Sequence, residues 1–211
     1  VVVIGQHTNL ANCIYHDDYG AGKAMGQTVA GFSKKGIAYI GVTRDDKAAG
    51  AAREDGFIAG LKNTGITLLE ENKRTSAFTL ESGYEAALDL LESKCDIDVI
   101  SCATDTIAAG AIEAIQTYLK KQVPANAADA GARMRYILEN TSIRVTGFGD
   151  NQMLKAVTGG IPTIHFGYKT SGIRGTELLL DSIERGEQIP IEMKLGFHLV
   201  GTDLSDSENH T

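Results

Sequence analysis

Short β-branched runs alternate with stretches of helical periodicity along this chain, and no other feature limits its fold so tightly. Ile37-Ala-Tyr-Ile-Gly-Val42 and Asp98-Val-Ile-Ser-Cys-Ala103 are apolar almost throughout, as strands covered on both faces must be. Helical patterns between such runs prescribe βαβ units around a parallel sheet, an α/β fold. Val1-Val-Val-Ile-Gly5 reads as the first strand. A turn at His16-Asp-Asp18 then caps a helix that reaches Phe32 and is stopped by Gly36. Residues 53–63 read as a helix and residues 67–70 as a further strand. Ser82-Gly-Tyr-Glu85 is a capping-box pattern that places Tyr84, Ala87, Leu88 and Leu91 on one core-facing stripe. A small-residue helix follows over 107–119, then strands over 142–148 and 162–168, a helix over 172–185 ended by Gly186, and one final strand over 194–200. After Ser205 the chain is expected to fray. Residues 120–140 are long for a connection in a compact domain and read as an insertion, with a helical turn over 133–138.

At 211 residues the chain fits one large α/β domain or two small lobes. A parallel strand opening at residue 1 lacks neighbours, so part of the first lobe is expected upstream of Val1. The 27 acidic residues outnumber the 20 basic ones, and such a surface repels phosphate, so this stretch is a poor duplex binder by itself. Cys13, Cys95 and Cys102 are odd in number and contain no Cys-x-x-Cys pair. They read as buried thiols of a reducing cytoplasm. No apolar run approaches the ~20 residues needed to cross a bilayer; no basic-then-apolar leader stands at Val1, which says little because the chain opens inside a strand.

Several chemistries are excluded by spacing. Gly20-Ala-Gly22-Lys-Ala-Met-Gly26 has one residue too many before its last glycine for a dinucleotide fingerprint. As a P-loop it has Asp17 where the leading glycine belongs and Ala24 where the magnesium-binding hydroxyl belongs. The five histidines show no His-Glu-x-x-His spacing and no pairing with cysteine, so no metal is expected. There is no Gly-x-Ser-x-Gly elbow and no nucleophile, base and orienter set, so the chain is expected to be a binding protein without cofactor and not an enzyme. Asp105 and Asp150 as the carboxylate pair of a sugar-modifying enzyme are the weaker reading.

In an open α/β sheet the ligand crevice lies beyond the carboxyl ends of the strands. Asp17, Arg53, Thr104, Asp105 and Asp150 fall there. Carboxylates and an arginine fork exchange paired hydrogen bonds with vicinal hydroxyls, and an aromatic such as Tyr168 or Phe166 offers its face to the C–H side of a pyranose. Each position also has a purely structural reading: Asp17 and Asp105 as helix caps, Arg53 paired with Glu54 or Asp55, Tyr168 in the core.

Five segments, in order and spacing, resemble the effector domain of the lactose/galactose-repressor family: His16-Asp-Asp-Tyr-Gly-Ala-Gly22; Tyr39-Ile-Gly-Val-Thr43 with Ala52-Arg-Glu-Asp-Gly56; Cys102-Ala-Thr-Asp-Thr106; Gly147-Phe-Gly-Asp-Asn151; and Pro162-Thr-Ile164. The first and fourth are most similar to the sucrose-operon repressor subgroup of Gram-positive bacteria. The resemblance implies a periplasmic-binding-protein-like fold of two flavodoxin-like lobes closing on a sugar, a cytoplasmic homodimer, and a helix-turn-helix headpiece, absent from this chain, that reads a palindromic operator. It implies that Arg53 binds effector hydroxyls, that Thr104 and Asp105 contact the ligand, that Tyr168 packs on it and that Asp17 lines the cleft. Residues 1–42 and 169–186 are then expected in the first lobe and 43–168 mainly in the second, with 187–211 as final strand and tail and hinges near Val42-Thr43 and Gly167-Lys169. Thr104 replaces the family's usual asparagine, Gly149 stands where many members have an acid, and the arginine usual near the final strand is missing around Gly201-Thr202. A periplasmic sugar-binding protein of a transport system shares the architecture and is the alternative.

Overall fold

The computed structural model describes residues 1–201 apart from 94, 120–130, 132, 134, 137, 138, 140, 187 and 188. Most of the expected insertion at 120–140 and the tail after Ser205 lie outside the described residues. Of the helical turn expected at 133–138, residues 133, 135 and 136 are described and helical.

Two sheets organise the chain. The smaller is parallel and has three strands in the order β1 (Val2–Ile4), β2 (Asn12–His16), β8 (Glu192–Leu195). The larger has six, in the order β4 (Lys73–Thr75), β3 (Ile37–Gly41), β5 (Val99–Cys102), β6 (Arg144–Phe148), β7 (Thr163–Phe166), β9 (Phe197–Val200). It is parallel except for β9, which runs antiparallel to β7. Every residue of β3 and β5 is buried, as their almost wholly apolar runs require.

Helix α1 (Asp18–Phe32) packs on α2 (Arg53–Lys62), and α3 (Leu80–Glu92) packs on α4 (Asp105–Leu119). The β3-to-β4 crossover runs one way along the sheet and the β4-to-β5 crossover runs back, so right-handed connections put the two helix pairs on opposite faces. Between β3 and β5 the order reverses, and a crevice opens at such a switch point. The α1–α2 contact is built on glycine. A Cβ on Gly22 would lie 2.2 Å from the Arg53 carbonyl oxygen, and one on Gly56 would lie 2.1 Å from that of Tyr19. The glycines at 22 and 26, whose spacing fails as a nucleotide fingerprint, serve to bring two helix backbones together. Phe57, Leu61 and Met25, all fully buried, fill this layer at about 1.5–3 kcal/mol each. A short helix α5 (Gln152–Thr158) and the long α6 (Tyr168–Arg185) complete the set. α6 lies on β1 and β2.

The chain passes between the sheets three times: from His16 through Asp17 into α1, from Phe166 through Gly167 into α6, and from Leu195 through Gly196 into β9. This corrects three expectations. β3, placed with residues 1–42 in the first lobe, pairs with β4 and β5 in the large sheet, so Val42-Thr43 follows a buried strand of that sheet and is no crossing. The single strand expected at 194–200 is two strands in different sheets, broken at Gly196. The strand expected at 67–70 forms at 73–75, after a 3-10 turn. Its Lys and Arg residues carry little apolar signal.

Candidate functional site

Arg53 stands at the switch point, where α2 begins. It is preceded by a π-helical stretch (Lys47–Ala52) capped by Asp46, whose carboxylate accepts from the backbone N–H groups of Ala48 and Ala49 at 3.0 and 2.8 Å. Such wide turns recur at functional sites. The Arg53 side chain is only 12% exposed and is held on four sides. Its Nε donates to Asp18 at 2.7 Å and one terminal nitrogen to the Ala103 carbonyl at 2.8 Å, and the rings of Phe148 and Phe166 lie 5.2 and 5.1 Å from its guanidinium carbon. Expected surface partners of Arg53, Glu54 and Asp55, pair instead with Arg44. A buried, pre-oriented fork with donors left over suits recognition of hydroxyl pairs, because little side-chain freedom remains to be lost on binding.

Two adjoining hollows open between the sheets here. The larger, about 460 Å³, is lined by Arg53, Asp18, Asp46, His16, Tyr168 and Ser171 among others. The smaller, about 320 Å³, takes in His7, Tyr15, Asp17, Tyr19, Lys47 and Lys194. They share Gly5, Gln6, His16, Asp18 and Ala48 and form one cleft. His16 is the floor. Its Nε2 is 2.9 Å from the Ser171 hydroxyl, and its ring lies 4.8 Å from Phe166 and 5.4 Å from Tyr168. Burial pushes its pKa down, against the nearby Asp18 carboxylate, which raises it; the Arg53 charge also lowers it.

Of the six residues singled out from sequence, Arg53 and Tyr168 meet in the larger hollow and Asp17 lies in the adjoining one. Asp17 is also the N-cap of α1, accepting from the Gly20 N–H at 3.1 Å, and it pairs with Lys194 at 2.8 Å. Thr104 lines neither hollow, and its hydroxyl accepts from the Ile107 N–H at 3.2 Å at the start of α4. Asp105, almost wholly buried, accepts from the Thr163 hydroxyl at 2.7 Å and the Asn151 N–H at 2.6 Å, tying β7 and the β6–α5 turn to the head of α4. Burial raises its pKa, while those two donors oppose the rise. Asp150, with φ of 48°, pairs with His165 Nδ1 at 3.0 Å. Asp105 and Asp150 border a separate hollow of about 220 Å³. Sequence reasoning passed over Asp18, which holds Arg53, and His16 and Lys194, which line the cleft. His16 and Asp18 flank Asp17, so the rule that named it reaches them too, whereas Lys194 opens the predicted final strand, where a carboxyl-end rule is silent.

Among the described residues no group of His, Cys, Asp and Glu is arranged to hold a metal ion, and no helix is long and apolar enough to cross a membrane. Cys13 and Cys102 are buried and Cys95 is half-buried.

Residues 7–158 match the family model of the periplasmic binding protein domain. The sucrose operon repressor of Staphylococcus xylosus is 28% identical over 172 residues, covering 82% of this chain and 47% of that protein. The chain thus spans about half the length of this curated relative. The transcriptional regulator CelR in complex with cellobiose superposes with a TM-score of 0.76 at 21% identity, over 94% of this chain and 56% of that one. The trehalose repressor from Escherichia coli gives 0.73 at 20%, over 94% and 68%. The motif resemblance to lactose/galactose-type repressors is thus met again in the comparisons, and by the extent of the matched model the chain belongs to the periplasmic binding protein domain family.

Proposed function

We propose that this chain is the effector-binding part of a sugar-responsive transcriptional repressor, a binding domain and not a catalyst. The observation that carries the reading is the Arg53 guanidinium, fixed by Asp18 and Ala103 between two phenylalanine rings at the mouth of a cleft between two sheets. A sugar hydroxyl pair is bound by the free side of that fork and by Asp18, with Tyr168 against the ring. Asp17 closes the far rim, and Asp105, Thr104 and Asp150 set the loops behind the site. The named relatives, a sucrose operon repressor and a trehalose repressor among them, support the regulatory sense.

Three crossings join the two sheets, so a sugar that prefers one relative orientation of the lobes biases whatever is attached to them. In the complete protein that is a pair of DNA-binding headpieces in a cytoplasmic homodimer on a palindromic operator. The test measures operator affinity of the protein with and without each sugar that it binds by calorimetry. Operator affinity shifted by one sugar supports the reading. Affinity untouched by every bound sugar defeats the regulatory part, and sugar binding by a protein with no DNA affinity at all favours the transport-receptor alternative that the family also contains.

A further inference from the structure

The cleft consists of two joined hollows and its charges are evenly balanced. Pockets that enclose small ligands start at ~300 Å³, and each hollow alone, at about 460 and 320 Å³, reaches that size. Both carry the elements that hold a hydroxylated ring. The larger has the Arg53–Asp18 pair and Tyr168. The smaller has the Lys194–Asp17 pair at 2.8 Å, with Tyr19 and a Tyr15 ring set edge-on to His7 at 4.9 Å. Each ion pair offers spare donors on the cation and spare lone pairs on the carboxylate, which is what a hydroxyl, donor and acceptor at once, uses. With histidines counted neutral, Lys47, Arg53 and Lys194 balance Asp17, Asp18 and Asp46 across the joined lining. A phosphate would find no net positive charge here and would have to share the Lys194 ammonium with the Asp17 carboxylate, whose charge repels it.

Building on the sugar-responsive reading above, we infer that the effector is an uncharged disaccharide, one ring against Arg53 and Tyr168 and the other against Tyr19 and the Lys194–Asp17 pair. Calorimetric titration of the purified protein tests it, with sucrose, trehalose and cellobiose against glucose, fructose, glucose 6-phosphate and sucrose 6-phosphate. One neutral disaccharide binds at least ~10-fold more tightly, about 1.4 kcal/mol, than its constituent monosaccharides and than any phosphorylated sugar. Tyr19→Ala, at a half-exposed position, weakens the disaccharide several-fold and leaves the monosaccharides unchanged. A monosaccharide or a sugar phosphate binding as tightly as every disaccharide, or Tyr19→Ala weakening all sugars alike, overturns the two-ring inference while the sugar-responsive reading survives. No binding of any sugar overturns that reading as well.

Discussion

Replacing Gly22 by alanine tests whether the α1–α2 contact is as close as the structure has it. The added Cβ would lie 2.2 Å from the Arg53 carbonyl oxygen and 3.0 Å from the Phe57 backbone nitrogen, and both are backbone atoms that no rotamer change can move. Carbon contacts rest at ~3.5–4.0 Å, so the helices must part by about 1 Å or more. Overpacking of this kind costs ~1–3 kcal/mol, and alanine returns ~0.5–1 kcal/mol through its better helix propensity. Because both contacts are with backbone, the cost lies in the upper half of that range, ~2–3 kcal/mol, and the net loss is about 1–2 kcal/mol. At ~2–4 °C per kcal/mol for a chain of this size, the melting temperature falls by about 2–8 °C, as followed by far-ultraviolet circular dichroism. Gly31→Ala is the control, because it lies in the same helix with nothing within 4 Å of the new Cβ. It should keep the propensity gain and melt at or slightly above the wild type. Gly22→Ala melting as high as Gly31→Ala would refute the close approach, and with it the view that this glycine sets the position of the helix bearing Arg53.

Asp105→Ala leaves the Asn151 N–H and the Thr163 hydroxyl without their buried acceptor. Hydrogen bonds to charged groups are worth ~1.5–3 kcal/mol, so urea unfolding should show a loss in or above that range, and a loss under about 0.5 kcal/mol would mean that these loops are held by other contacts. Burial holds the His16 pKa below its usual 6.5, so in that range the unfolded chain binds a proton that the folded one does not. The stability contributed by neutral His16 is therefore complete above about pH 6.5 and lost as pH falls below it. His16→Gln should flatten the stability profile below about pH 6.5, and an unchanged slope would assign it to other groups. Arg53→Lys keeps a charge beside Asp18 but loses the planar fork that reaches the Ala103 carbonyl and lies between two rings. Sugar affinity should drop at least ~10-fold by calorimetry, and undiminished affinity would remove Arg53 from the site.

Much of the architecture was legible because buried parallel strands have a distinctive composition. Ile37–Gly41 and Val99–Cys102 could be read from nearly unbroken apolar runs, and α1 from its Asp17 cap. Membership of a strand in a sheet was not legible. Nothing local in Lys194–Val200 says that Gly196 hands the chain from one sheet to the other, because pairing partners are far away in sequence. β4 escaped notice for a different reason: as an edge strand of three polar residues it has no core face to reveal it.

The site was half legible for a related reason. The strand-end rule named Arg53 and Asp17, which line the candidate cleft, but could not say which acid would meet the guanidinium. That depends on the turn of helix between Asp17, which caps, and Asp18, which faces α2. The same rule named Asp105 and Asp150, but the turns carrying them fold the carboxylates toward Thr163 and His165, at a separate hollow away from Arg53.

A crystal structure of the protein soaked with a sugar that binds it tests the central claim most directly. The account predicts a sugar ring between the two sheets, with hydroxyls within ~3.2 Å of the Arg53 guanidinium and the Asp18 carboxylate. Density for the sugar in the Asp105–Asp150 hollow, or on the outer surface with the Arg53 cleft empty, would contradict it.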